Sequence, residues 1–146
     1  MSEANPMFGR REPGQDYQPR PGSYAVIRNV RGEIGVVQTP QGCYLPGGGA
    51  DAGETPEQTL RREVREECAA EIHIGNRLGT AIEFVFAPGE GHFEKICTFF
   101  EASIIEIGSG AIEYRVIWLP AREAIEALRH ESHRWAVGRL IPFKND

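Results

Sequence analysis

Three glutamates, Glu63, Glu66 and Glu67, stand three and four residues apart in a stretch that reads as helix. That spacing places their carboxylates within an arc of roughly 100° on one side of the helix, while Arg61, Arg62 and Arg65 fall on the other. Like charges so placed cost a few tenths of a kcal/mol per pair in an exposed helix, and more where water is partly excluded. Glu67 also projects close to the direction of Leu60 and Val64, at the edge of the face that must meet a core, so its carboxylate needs a partner. A hard divalent cation satisfies all three acids at once. Mg²⁺, with Mn²⁺ as a substitute, takes one or two protein carboxylates and completes its shell with phosphate oxygens and water. A solvated surface helix, laced by the i,i+4 pair Arg62 and Glu66, accounts for the same charges taken alone; the residues around them decide.

The helix is the best-marked element of the chain. Thr55 suits the N-cap, Pro56 the first helical position, and Gln58 completes a capping box, which predicts a helix to about Cys68 with Leu60, Val64 and Cys68 as its apolar stripe. Before it, Pro46-Gly47-Gly48-Gly49 is too rich in glycine for helix or strand and lets the backbone approach other groups closely. Ser23–Asn29 and Glu33–Gln38 read as a strand pair joined by a tight turn, and Gly42–Leu45 as a shorter third strand. Ile72–Ile74, Gly79–Phe86, Phe93–Ile105 and Tyr114–Leu119 read as later strands, with a turn at Pro88-Gly89-Glu90-Gly91. Pro120 starts a helix through about Leu128, and Ser132 can cap a last one to about Leu140. Strands with helices between and after them imply an α/β layered domain with helices on both faces of a mixed sheet.

A chain of 146 residues, 40% of them hydrophobic, closes one core. Residues 1–22, rich in Pro, Gly and balanced charge, read as a tail or an edge segment, and 23–146 as the domain. No apolar run approaches a membrane span and no signal peptide is legible, so the expected location is the cytoplasm. Cys43, Cys68 and Cys97 are scattered, which fits reduced thiols better than a disulfide frame or a zinc site. A net charge of −5 argues against non-specific nucleic-acid binding. An anionic substrate would need a metal cation to reconcile it with this protein.

Gly48, five residues, Glu54, seven residues, Arg62-Glu63-Val64, one residue, then Glu66-Glu67 resembles the Nudix box, G-x5-E-x7-R-E-U-x-E-E-x-G-U with U a bulky apolar residue. The likeness runs from the Leu45-Pro46-Gly47-Gly48 lead-in through Gly53-Glu54-Thr55. It departs at the end, where Ala69 replaces the family's Gly and Ala70 its larger apolar residue. A left-handed exit at Ala69 would cost about 1 kcal/mol. The resemblance implies a Nudix-type α/β/α sandwich and a Mg²⁺-dependent hydrolase of phosphoric anhydride bonds. Its substrate would be a nucleoside diphosphate linked to X, whether a nucleotide, a nucleotide sugar or a dinucleoside polyphosphate.

By the same resemblance Glu63, Glu66 and Glu67 hold the metal and act in catalysis. Glu54 and Arg62 brace loop and helix, and Gly48, Gly49 and Arg62 meet substrate. Water attacks phosphorus directly, and Glu113, in the loop before a late strand, is the candidate base outside the box, with Glu94 and Glu90 behind it. An exposed strand-edge Glu is the plainer reading of Glu113. His130 and His133 lack the i,i+4 spacing of a zinc motif and read as surface or capping residues. Phe84, Phe86, Phe93, Phe99 and Phe100 read as core, with one or two free to stack on a base. Val85-Phe86-Ala87-Pro88, where the family's subgroups often differ, matches neither the ADP-ribose nor the dinucleoside polyphosphate pattern and leaves X unassigned. The alternative function is a sensor that binds a nucleotide without turnover. The expected partners are a small nucleotide-type substrate and at most a second copy of the chain in a homodimer, with neither nucleic acid nor membrane among them.

Overall fold

The computed structural model describes residues 4–140; the first three residues of the expected tail and the last six of the expected domain lie outside the described residues. The elements run β1 (Met7–Phe8), β2 (Gln18–Arg28), β3 (Ile34–Thr39), β4 (Gly42–Tyr44), β5 (Gly47–Gly49), α1 (Pro56–Cys68), β6 (Ala70–Ala87), β7 (Gly91–Ile107), β8 (Ile117–Leu119), α2 (Ala121–Ala127) and α3 (Glu131–Leu140). Among the described residues the strands form one mixed sheet in the order β1-β6-β7-β2-β3-β4, with β5 on β2 and β8 on β3. β2 runs parallel to β7 along one edge and antiparallel to β3 and β5 along the other.

Ser23 to Ile27 are buried in unbroken succession because both faces of β2 are covered. Ala25 and Ile27 face α1, joining Leu60, Val64, Cys68 and Phe100. Tyr24 and Val26 face α2 and α3, joining Phe99, Leu128, Ala136 and Val137. The expected sandwich, a mixed sheet between helices, is therefore present.

Several expectations shift. Ile72–Ile74 and Gly79–Phe86 belong to one strand, β6, because Gly75 and Asn76 do not turn the chain away. Register shifts on either side of Arg77 absorb the irregularity, and the Asn76 N–H donates to Glu101 at 3.2 Å. The strand expected at Tyr114–Leu119 begins only at Ile117, since Glu113 and Tyr114 give their N–H groups to the end of α1. Of the residues read as a tail or an edge segment, Met7 and Phe8 form the edge strand β1, parallel to β6 at Ile82 and Glu83, and β2 already starts at Gln18. No helix of the described residues is long and apolar enough to cross a membrane.

Candidate active site

The capping box at Thr55 and Gln58 starts α1 as expected. Its exit is left-handed, with Ala69 at φ 53° and ψ 30°, although the residue is not glycine. This exit reverses the chain into β6 and leaves the Glu67 carbonyl free to accept from the N–H groups of Glu113 at 3.0 Å and Tyr114 at 2.9 Å. Hung on the last turn of α1, the 108–116 loop thus carries Glu113 to the acids. Glu90 lies in the turn between β6 and β7, against the cavity described below, and Glu94 lies on β7, so neither shares this anchor.

Opposite the helix, the glycine-rich lead-in forms β5 against Gly22–Tyr24. Gly47 has φ 145°, and a Cβ there would strike the β2 backbone. A Cβ at Gly48 would collide with the Glu63 carboxylate. Glycine at these positions lets the loop close onto the acids, which is the close approach the sequence implies. The Gly47 N–H points at Glu67 Oε1, 3.4 Å away.

Arg62 holds the loop to the helix. Its Nε and Nη2 grip both oxygens of Glu54 at 2.7 and 2.9 Å, and Nη2 also reaches the Gly49 carbonyl at 2.9 Å. Nη1 reaches Glu63 at 2.9 Å and Glu66 at 3.2 Å, and Asp51 stands 3.2 Å from Nε. With its guanidinium taken up in this way, Arg62 fits the bracing role better than the substrate-binding one. Thr59 and the Asp51 N–H complete the shell of Glu54, and the Arg62 hydrogen bonds bring the Glu54 pKa down to about 2.

Glu67 lies in a different environment. Burial raises its pKa to about 7, the charges of Glu63 and Glu113 push the same way, and only the Gly47 N–H opposes. Burial also raises the Glu63 pKa against the pull of Arg62. No Lys or Arg pairs with Glu67 among the described residues. Nor do three His, Cys, Asp or Glu side chains there form a ready-made metal cluster. A half-buried carboxylate without a cation, beside a second one, suits a hard ion held by one or two protein oxygens and completed by phosphate and water. The residues present fit Mg²⁺ on those terms.

On the α2–α3 side of the sheet lies a cavity of about 760 Å³, lined among others by Arg20, Tyr44, Phe86, Phe93, Lys95 and Arg129. Lys95 lies 5.5 Å from the Tyr24 ring, and that ring would meet a Cβ at Gly47. Arg20 stacks 3.8 Å over Phe93. Phe86 is largely exposed at the cavity, whereas Phe99 and Phe100 are core.

Sequence reasoning missed His133. Rather than a surface or capping residue it is fully buried, because α3 lies flat on the sheet. The helix N-terminus is instead satisfied by Glu83, which accepts from the Ser132 N–H at 2.9 Å and pairs with His130 at 3.3 Å. Nothing in the local sequence signals a cap supplied from β6.

The sequence model of the NUDIX domain matches residues 18–140. An 8-oxo-dGTP diphosphatase of Haemophilus influenzae is 48% identical over 48 residues, 29% of this chain and 35% of that protein. The match thus spans about a third of the curated relative's length. A NUDIX hydrolase from Nitrosomonas europaea superposes with a TM-score of 0.68 at 18% identity, over 84% of this chain and 88% of the other. A C. elegans Ap4A hydrolase does so at 0.65 and 20%, covering 83% and 94%. The MutT protein of Methanosarcina mazei Go1 does so at 0.64 and 22%, covering 85% and 94%.

Proposed function

The chain belongs to the Nudix hydrolase family, and from that premise we propose that it hydrolyses the diphosphate linkage of a nucleotide-type substrate by attack of water at phosphorus. The observation that carries the reading is Glu67, a half-buried carboxylate with a pKa raised to about 7 and no cationic partner among the described residues, beside Glu63 and under the Gly47–Gly49 loop. Glu67 and Glu63 would hold the metal, and Glu66, more exposed and tied to Arg62, would complete the acidic side. When bound, Mg²⁺ supplies positive charge that neutralises the diphosphate and makes a coordinated water more acidic.

The protein's own groups do the rest. Glu54 and Arg62 lock loop to helix, so that Gly48 and Gly49 present their backbone to the phosphates at a fixed height above Glu63. Glu113, delivered to the acids through the Glu67 carbonyl, would take the proton from the attacking water. Arg20, Lys95 and Arg129 give an acidic protein a cationic cavity beside the site, while Phe86, Phe93 and Tyr44 offer it aromatic surface. Such a lining suits a ligand that is anionic at one end and flat at the other. The activity of the Haemophilus relative, an 8-oxo-dGTP diphosphatase, makes nucleoside triphosphates, oxidised and normal, the first compounds to test.

The experiment is a screen of purified protein against nucleoside triphosphates, nucleotide sugars and dinucleoside polyphosphates, with Mg²⁺, with Mn²⁺ and with EDTA. Metal-dependent release of a nucleoside monophosphate supports the proposal. Nucleotide binding without product across the panel would make the protein a sensor.

A further inference from the structure

His133 lies in the core at the centre of an aromatic cluster, with ring centroids 4.5 Å from Tyr24, 5.6 Å from Phe99 and 6.2 Å from Tyr44. Its Nδ1 accepts a hydrogen bond from the Leu45 N–H at 3.2 Å, a contact between residues 88 positions apart. An Nδ1 that accepts must leave the proton on Nε2. Burial holds the ring's pKa well below the ordinary imidazole value, so the neutral form is the one present. Nε2 finds no hydrogen-bond partner among the described residues. A buried donor left unmade is costly, and a phenylalanine would fill the same aromatic slot without it. What the imidazole adds to packing is a single acceptor, and that acceptor goes to Leu45.

Leu45 opens the lead-in to the acids, and three successive residues there have three separate tethers. Leu45 is held by His133 on α3, Pro46 by its carbonyl's bond from the Ala25 N–H at 2.9 Å on β2, and Gly47 directs its N–H to Glu67. The position of α3 is set in turn by Glu83, through Ser132 and His130. The chain of contacts therefore runs from β6 through α3 to the loop over the box acids, on the sheet face opposite α1.

We propose that His133 is a positioning residue: its Nδ1 fixes the height of the Leu45–Gly49 loop and thereby the aim of the Gly47 N–H and of the loop backbone at the box acids. This rests on the proposed hydrolase reading for its effect on turnover, although the tether can be measured without it.

The test compares two variants of the full chain. His133→Phe keeps an aromatic ring but removes the acceptor. It exchanges one buried unpaired N–H, on Nε2, for another, on Leu45, so its melting temperature should stay close to wild type. His133→Asn places its Oδ1 where Nδ1 was but loses ring volume, so it should melt lower. Activity should follow the opposite order. Well below either melt, kcat should fall about tenfold or more in the Phe variant, with KM changed by less than about threefold, because sub-ångström misplacement acts on the chemical step. The less stable Asn variant should retain more turnover than the Phe variant. A purely structural role would make activity track melting temperature instead.

Amide hydrogen exchange, followed by NMR in EDTA, supplies the readout independent of turnover. The Leu45 N–H should be protected in wild type and in the Asn variant, and should lose about tenfold or more of that protection in the Phe variant. Wild-type protection of Leu45 in the Phe variant would overturn the inference, as would wild-type kcat there or an Asn variant no more active than Phe. If wild type turned over nothing in the substrate screen, the hydrolase reading would fail, and the exchange data would still judge the tether.

Discussion

Replacing Glu67 by Gln should make the metal-free protein more stable and the enzyme nearly inactive. A carboxyl with an ordinary pKa of 4.5 that rises to about 7 on folding is held more easily in its neutral form. Below pH 4.5 both folded and unfolded states carry the proton and nothing is lost. As pH rises from 4.5 to about 7 the unfolded state gives up its proton while the folded state keeps it, so stability falls; above about 7 the half-buried group is ionised too and the full penalty is in place. At 1.36 kcal/mol per pH unit the full difference is about 3 kcal/mol, or about 2–3 kcal/mol after allowance for residual solvent screening. Gln keeps the oxygen that accepts from Gly47 and carries no charge. The Gln variant in EDTA should therefore melt on the order of 5–10 °C above wild type at pH 8, and the gap should close towards pH 4.5. Excess Mg²⁺ should raise the wild-type melt by mass action, by about 2.7 kcal/mol at a hundredfold excess over Kd, and should move the variant much less. Turnover of the variant should drop by orders of magnitude. The assay is a set of thermal melts from pH 4.5 to 8.5, with EDTA and with Mg²⁺, beside kcat on the best substrate. A variant no more stable than wild type at pH 8 in EDTA, or a gap that ignores pH, refutes the reasoning.

Glu113→Gln should lower kcat about a hundredfold or more while leaving the fold intact, the usual scale for a lost general base; an unaffected rate, with a Glu90 or Glu94 variant inactive, would move the base elsewhere. Ala69→Gly relieves a left-handed non-glycine residue and should stabilise the protein by up to about 1 kcal/mol in urea melts, so a clear loss would show that the Ala methyl contributes packing that outweighs strain. Glu83 has a folded pKa of about 2, because hydrogen bonds from His130 and Ser132 outweigh the burial that pushes it up. Its stabilisation is present above pH 4.5 and lost as pH falls towards 2, so Glu83→Gln should flatten the acid limb of the wild-type stability curve between those values.

The legible part of the site was the part whose physics is local. Thr55, Gln58 and the Leu60-Val64-Cys68 stripe specify α1 from within one segment, and the three acids follow from its repeat. The glycines before it were readable as a close approach, although what they approach, the Glu63 carboxylate, needed the fold. Long-range features escaped. His133 looks polar in its own sequence, and only the docking of α3 on Tyr24 and Phe99 makes it a core residue. The cap of α3 comes from Glu83, 49 residues earlier in the chain. Gly75 and Asn76 read as an interruption because a strand's tolerance for irregularity depends on its partner, and β7 accommodates them with register shifts.

Within the motif itself the roles separate by electrostatics. Glu54 and Glu67 are both box glutamates on or beside α1, yet one has a pKa of about 2 and the other about 7. Burial raises Glu67, and Arg62 lowers Glu54: the guanidinium gives its bidentate fork to Glu54 and reaches Glu63 and Glu66 with its remaining arm, while Glu67 gets none of it. An acid with both oxygens taken by a guanidinium fork, as Glu54 has, offers little to a metal, because a cation binding there would compete with a charge already in place. An acid left half-buried with only a backbone N–H has the most to gain from one. On the proposed site assignment, Arg62 keeps Glu54 structural and leaves Glu67 available, and a substitution there should act on both sets at once: Glu54 would lose its hold on the loop, and Glu63 would lose the charge that competes with a metal ion.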